Sequence, residues 1–184
     1  NYYVCLLSAA LHFGASHQKP QVFQVMVDKR GKKIQSGKIR IQFVYKKSLK
    51  GLPLQKITTK SGYLNLATPE LTLIDLLLYP KLCGGLNNIA TLLSELIEEV
   101  NPDMLLQLAT QIKQKIWLQR LGYILENIDV LNEDKKISLI QKLGDFIQNK
   151  TFAYIPLAPE VPAQGCPRDK KWKIIVNATI EADE

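Results

Sequence analysis

One stretch constrains this chain more than any other: Thr68-Pro69-Glu70-Leu71-Thr72-Leu73-Ile74-Asp75-Leu76-Leu77-Leu78. It opens with a helix-start signal. Thr68 suits the N-cap, Pro69 the first helical position, and Glu70 the positive end of the helix dipole. Pro80 forbids continuation, which sets a helix of about three turns. Leu71, Leu73, Ile74, Leu76, Leu77 and Leu78 surround the helix with apolar groups, so it must be buried. Asp75 sits inside that apolar surface. A lone buried carboxylate costs several kcal/mol or takes up a proton. The spacing therefore predicts a central helix whose single acid is held by a partner elsewhere in the chain.

A length of 184 residues with 46% apolar content allows a sizeable core and one large domain. No apolar run reaches the roughly 18 residues of a membrane span, and the opening lacks the basic and small-residue signals of a leader peptide. Asn1-Tyr2-Tyr3 reads as the lead-in to a helix, as expected of a domain cut from a longer protein. Cys5, Cys83 and Cys166 are odd in number and far apart. That argues against a disulfide framework and for a reducing, cytoplasmic setting.

Residues 2–13 read as a helix with Val4, Leu7, Ala10 or Leu11, and Phe13 on one stripe and Gly14 at its end. Gln21–Val27 reads as a buried strand. In the next strand Ile39, Ile41, Phe43 and Tyr45 alternate with Arg40, Gln42 and Val44, which predicts a half-buried ribbon. Leu54–Lys60 and Tyr63–Ala67 flank Ser61-Gly62 as a hairpin. After Pro80 the pattern turns helical. Leu86–Val100 is the first such segment, and Asn101-Pro102-Asp103 opens a second that runs to about Ile112. Lys115–Ile128 carries Trp117, Leu121, Ile124 and Ile128 on a stripe. The last helix begins at Asn132 and ends near Asn149, with Ile137, Ile140 and Ile147 inward. A proline-rich connection leads to a final strand, Trp172–Val176, expected to rejoin the sheet. Strands first and helices later predict an α+β fold: a mixed sheet of about five strands with a layer of four to six helices.

Charge is lopsided. Residues 1–60 hold 12 Lys/Arg against one acid, Asp28, a net of +11. Residues 61–184 hold 12 Lys/Arg against 16 acids, a net of −4. The leading third should therefore carry a strongly positive surface suited to a polyanion. Its candidate phosphate contacts are Lys29, Arg30, Lys32, Lys33, Lys38, Arg40, Lys46, Lys47 and Lys50. Aromatic residues among them are few, only Phe43 and Tyr45, so stacking of unpaired bases is not indicated. Asp75 and Arg120 each lie on an apolar helix and each need a counter-charge, which predicts a buried structural ion pair between them.

Several chemistries are excluded by what they require. A restriction-type nuclease needs paired acids beside a lysine on neighbouring strands, and Asp28-Lys29-Arg30 lacks the second acid. His12, His17 and Cys5 do not complete a zinc site. Gly84-Gly85 follows no strand and makes no phosphate loop. No nucleophile arrangement is present. The expectation is a protein with no catalytic residues, metal or cofactor.

Read together, four stretches resemble the C-terminal domain of the AbiEi family, the antitoxins and transcriptional regulators of bacterial abortive-infection systems. They are Tyr2-Tyr3-Val4 through Leu7–Gly14; Thr68-Pro69-Glu70-Leu71-Thr72-Leu73-Ile74-Asp75, where Leu71 replaces a usual arginine; Arg120-Leu121-Gly122-Tyr123-Ile124-Leu125-Glu126; and Trp172-Lys173-Ile174-Ile175-Val176-Asn177 with Glu181 and Asp183. The resemblance implies a single domain over residues 1–184. Residues 1–80 would form a helix, a basic sheet and the central helix; 81–150 a helical part; and 151–184 a surface connection and closing strand. It implies a non-enzymatic antitoxin and autorepressor that meets operator DNA through the full-length protein, in which a winged helix-turn-helix precedes this domain. It also implies action against a nucleotidyltransferase toxin without a stable complex. A protein-interaction domain whose basic face binds an acidic partner is the alternative. Oligomeric state is not legible in the residues.

Overall fold

A computed structural model describes residues 1–15, 20–29, 34–36 and 39–181 of the chain. The elements are β1 (Tyr2–Val4), α1 (Leu6–His12), β2 (Phe23–Val27), β3 (Ile34–Ser36), β4 (Ile39–Tyr45), β5 (Leu54–Thr59), β6 (Gly62–Ala67), α2 (Pro69–Leu78), α3 (Leu86–Leu96), α4 (Pro102–Gln111), α5 (Ile116–Glu126), α6 (Glu133–Gln148), β7 (Ile155–Pro156), β8 (Arg168–Asp169) and β9 (Ile174–Ile175). This is the α+β fold expected, with a mixed sheet and a helical layer.

The main sheet has six strands in the order β3-β4-β2-β1-β6-β5. β1 is antiparallel to β2 and parallel to β6, while β2 is parallel to β4. The pairing rows Tyr3–Met26–Val44 and Tyr2–Val27–Tyr45 decide which side chains share a face. Tyr3, Met26 and Val44 are buried in the core, beneath the helices. Tyr2, Phe23 and Tyr45 point the other way and are exposed. The alternation along β4 is thus inverted relative to the simplest reading: Val44 faces inward at 6% exposure and Tyr45 outward at 45%. A period of two cannot by itself say which set is inside; the partner strands decide.

The central helix behaves as its sequence requires. The Thr68 side chain accepts from the Leu71 amide, Pro69 occupies the first turn, and residues 70–77 are all buried. Glu70 also reaches across, its carboxylate accepting from the Asn101 amide at 2.8 Å, just where α4 begins. Asn101 and Asn132 cap α4 and α6 as their sequences suggest. Helix α2 packs against α1, α3, α4 and α5. One core cluster runs from Tyr3 to Ile174.

Four expectations are corrected. Residues 2–13 are not one helix: Tyr2–Val4 form a strand, and Leu6, with φ of 52°, turns the chain into α1. The pull on β1 is tertiary, since it fills the gap between β2 and β6. Within α1 the buried residues are Leu6, Ser8, Ala9 and Ala10, while Leu11 is exposed. On α6 the inward face is Leu139, Leu143 and Ile147, and Ile137 is 59% exposed. Finally, the closing strand does not rejoin the main sheet. β9 pairs with β7 and β8 in a separate three-stranded sheet that packs on α5.

That small sheet is fastened by Trp172. Its ring is fully buried and lies over Gly122 of α5. The indole N–H donates to Glu126 one turn later at 2.7 Å, and the Trp172 amide donates to Asp169 at 2.7 Å. Lys171 pairs with the other oxygen of Glu126. The Gln119 amide donates to the carbonyls of Ala153 and Lys173, and Asn177 brackets Ala158. The motifs around Gly122 and Trp172 are two halves of one clasp.

Candidate functional site

The buried acid of α2 is held from the sheet side. Lys46, one residue past β4, donates to Asp75 Oδ1 at 2.9 Å, and the Tyr3 hydroxyl donates to Oδ2 at 2.7 Å. Lys46 Nζ also lies 3.4 Å from the Tyr3 oxygen, which closes a three-membered network. Lys46 faces the helices because it continues the inward parity of Val44. Asp75 is wholly buried and Lys46 nearly so, at 17% side-chain exposure. Burial raises the Asp75 pKa above the ordinary 3.8, and Lys46 and Tyr3 offset this only in part. Burial, and then the neighbouring carboxylate, push the Tyr3 hydroxyl far up, so it stays a protonated donor. The same two causes raise the thiol of Cys5, and Cys83 to about 12. Both cysteines, like Cys166, are free thiols; the two buried ones stay protonated, and inert as nucleophiles.

Replacing Tyr3 with phenylalanine removes one donor and leaves Oδ2 desolvated. Such orphaned acceptors cost about 1–3 kcal/mol. A urea unfolding midpoint unchanged in Tyr3→Phe would show that the hydroxyl contributes nothing.

Arg120 does not meet Asp75, so the ion pair expected between them is not formed. Its guanidinium donates instead to the Leu77 carbonyl at 3.1 Å and the Pro156 carbonyl at 3.4 Å, and its Nε has no partner among the described residues. The reason is geometric. Asp75 looks from α2 toward the sheet, whereas α5 approaches α2 at its C-terminal end, where carbonyls lack helical partners and the dipole is negative. Arg120 thus caps α2 and ties it to the segment before the small sheet. Burial lowers its pKa, and Glu160 works in the opposite sense.

The cationic candidates divide. Arg30, Lys32, Lys33 and Lys38 lie outside the described residues. Lys29, Arg40, Lys47 and Lys50 are exposed. Because β2 and β4 are parallel and Val27 pairs with Tyr45, Lys29 and Lys47 leave the same end of the sheet. Lys50 follows in the same connection, whereas Arg40 stands at the far end of β4. Lys46 is withdrawn into the core. Among the described residues, no group of three or more His, Cys, Asp or Glu is placed to hold a metal ion. No described helix is long and apolar enough to cross a membrane.

Comparison with known proteins adds the family. The model of the AbiEi antitoxin C-terminal domain matches residues 2–127, about two thirds of the chain. The chain belongs to this family. No curated protein matches it. Among solved structures, the crystal structure of the RV2827C protein from Mycobacterium tuberculosis is similar, with a TM-score of 0.60 at 12% identity. The likeness covers 94% of this chain and 61% of that one, so this chain spans under two thirds of the other's length. At that identity the likeness is one of fold.

The matched span ends one residue after α5, so it takes in the sheet, the Asp75 network, Arg120, Gly122 and Glu126. The Trp172 half of the clasp lies beyond it. Tyr3 is not legible as a partner of Asp75 when residues 2–13 read as one helix. The signal that could have found it was Tyr2-Tyr3-Val4 itself, three strand-favouring residues with poor helix propensity.

Proposed function

We propose that this chain is the effector domain of an AbiEi-type antitoxin that also serves as a transcriptional autoregulator, and that it acts without catalysing a reaction. The observation that carries this reading is the family match over residues 2–127. It implies a toxin partner, by family resemblance a nucleotidyltransferase that is opposed without a stable complex. Absence of catalysis is supported by the two buried acids of α2 both being committed within the fold, Asp75 enclosed by Lys46, Tyr3 and apolar neighbours and Glu70 accepting from the Asn101 amide.

The basic leading third would add phosphate contacts to operator DNA held by the full-length protein. Lys29, Lys47 and Lys50 form the described part of that surface, with Arg30, Lys32, Lys33 and Lys38 as further candidates and Arg40 apart from them. Lys46 contributes to stability instead. Charge reversal at Lys29, Lys47 and Lys50 should weaken duplex binding and reduce the slope of log K against log salt by roughly 0.9 per lost phosphate contact. Electrophoretic mobility titrations at several salt concentrations measure both. Unchanged affinity and slope would remove these cations from the DNA-binding role. The alternative, a basic face that binds an acidic protein, predicts loss of partner capture in the same variant even after nuclease treatment.

A further inference from the structure

We propose that the outer face of β2 and β4 is a stacking platform for single-stranded nucleic acid, which shares Lys29 and Lys47 with the duplex contacts described above but adds rings that a duplex does not use. The sequence alone argued against this, because Phe43 and Tyr45 were the only aromatics among the cations. Strand register changes the count. The rows Tyr2–Val27–Tyr45, Val4–Val25–Phe43 and Phe23–Ile41 place Tyr2, Phe23, Phe43 and Tyr45 on one face of three adjacent strands. Tyr2, Phe23 and Tyr45 are 37%, 38% and 45% exposed. Ile34 pairs with Ile41 on the same face and is 49% exposed. Val4, Val25 and Leu66 on this face are buried, so the open surface is made of Phe23 and Tyr45 with Ile34 beside them and Tyr2 at the rim.

Soluble proteins rarely leave an apolar sheet face open without a use for it. Charge decides the occupant. The aromatic face is edged by Lys29 and Lys47, and the first 60 residues carry a net of +11. An apolar, aromatic surface in a strongly positive field complements a polyanion that itself presents flat apolar rings, which is an unpaired nucleic acid strand. Bases stack on such rings regardless of sequence, while lysines track the phosphates. Phe43 and Tyr45, two residues apart on one strand, stand about 7 Å from one another, and Phe23 and Tyr2 lie on the neighbouring strands. That is room for two or three bases. A duplex, whose bases are already stacked, gains nothing from the rings.

The test is fluorescence anisotropy with the 184-residue chain, using labelled oligouridine and oligodeoxythymidine of about 12 nucleotides and a duplex of the same length. Single strands should bind more tightly than the duplex. Phe23→Leu and Tyr45→Leu keep apolar bulk on the sheet while removing the ring, and each should lose roughly tenfold in single-strand affinity. Duplex affinity and salt slope should stay unchanged. Phe23→Trp should retain binding, and Tyr63→Leu, on β6 and the opposite face by register, should be silent. A preference for oligouridine identifies RNA as the ligand and a preference for oligodeoxythymidine identifies DNA; either supports the platform. Single-strand binding that ignores the leucine variants would overturn the proposal. So would a sedimentation result in which these variants dissociate a dimer, since the face would then be an interface between copies of this chain. Charge reversal at Lys29 and Lys47 should weaken both ligands, so the leucine variants separate the two readings: loss of single-strand affinity with duplex affinity intact supports this face whatever becomes of the operator contacts.

Discussion

Lys46→Met should destabilise the protein by about 3–5 kcal/mol at neutral pH, because it removes the cation and leaves Asp75 as a buried, unpaired carboxylate. The loss should depend on pH in a direction that can be worked out. The Asp75 pKa is already raised in the folded state, so the folded protein binds a proton more readily than the unfolded chain does. The contribution of such an acid to stability is fully present below its unfolded value, near 3.8, and is lost as pH rises through the folded value. Without Lys46 the folded value rises further. The gap between the original protein and Lys46→Met should therefore be widest at neutral pH and close as pH falls toward 4. Denaturant titrations at several pH values measure it. A gap independent of pH would mean that lost packing of the lysine stem, not the charge, is responsible. Replacing both partners, Lys46→Met with Asp75→Leu, should recover most of the loss, because no unpaired charge remains in the core.

Gly122→Ala should be as damaging. A Cβ at Gly122 would fall inside the Trp172 ring, against Cε3, Cζ3 and Cη2, and neither partner has room to move. The ring is fully buried and its N–H is committed to Glu126. Overpacking of this kind costs about 3 kcal/mol. Trp172→Ala, which leaves a cavity instead, should cost about 3–5 kcal/mol. The informative measurement is the pair together: Gly122→Ala with Trp172→Ala should be less destabilised than the sum of the two, since the added methyl enters the space the ring has left. Strict additivity would show that the two residues do not touch in solution. Near-ultraviolet circular dichroism should report the loosened indole in Gly122→Ala.

Both predictions concern places where the chain's own signals were partial. The asparagine and threonine caps, the prolines that start α2 and α4, and the apolar stripe of α5 were all legible, because each acts within one or two turns. The need of Asp75 for a partner was legible too, since burial of a lone charge is costly wherever it occurs. The partner's identity was not. Arg120 matched it by charge and apolar setting, but α5 meets the end of α2, not the side that bears Asp75. Lys46 reads in the sequence as one more candidate phosphate contact, and only the inverted parity of β4 turns it inward.

The amino-acid sequence by itself determined the helical segments after residue 68, the buried central helix among them, the excess of positive charge in the leading third and the α+β class, because these follow from local propensity, capping and composition. The tertiary structure alone decided strand register. Register flips every side chain of a strand between two environments at once, and it depends on partners that are distant in sequence. That one choice drew Lys46 into the core beside Tyr3, turned Phe23, Phe43 and Tyr45 outward, and so separated the cation that stabilises the fold from the surface left open to a ligand.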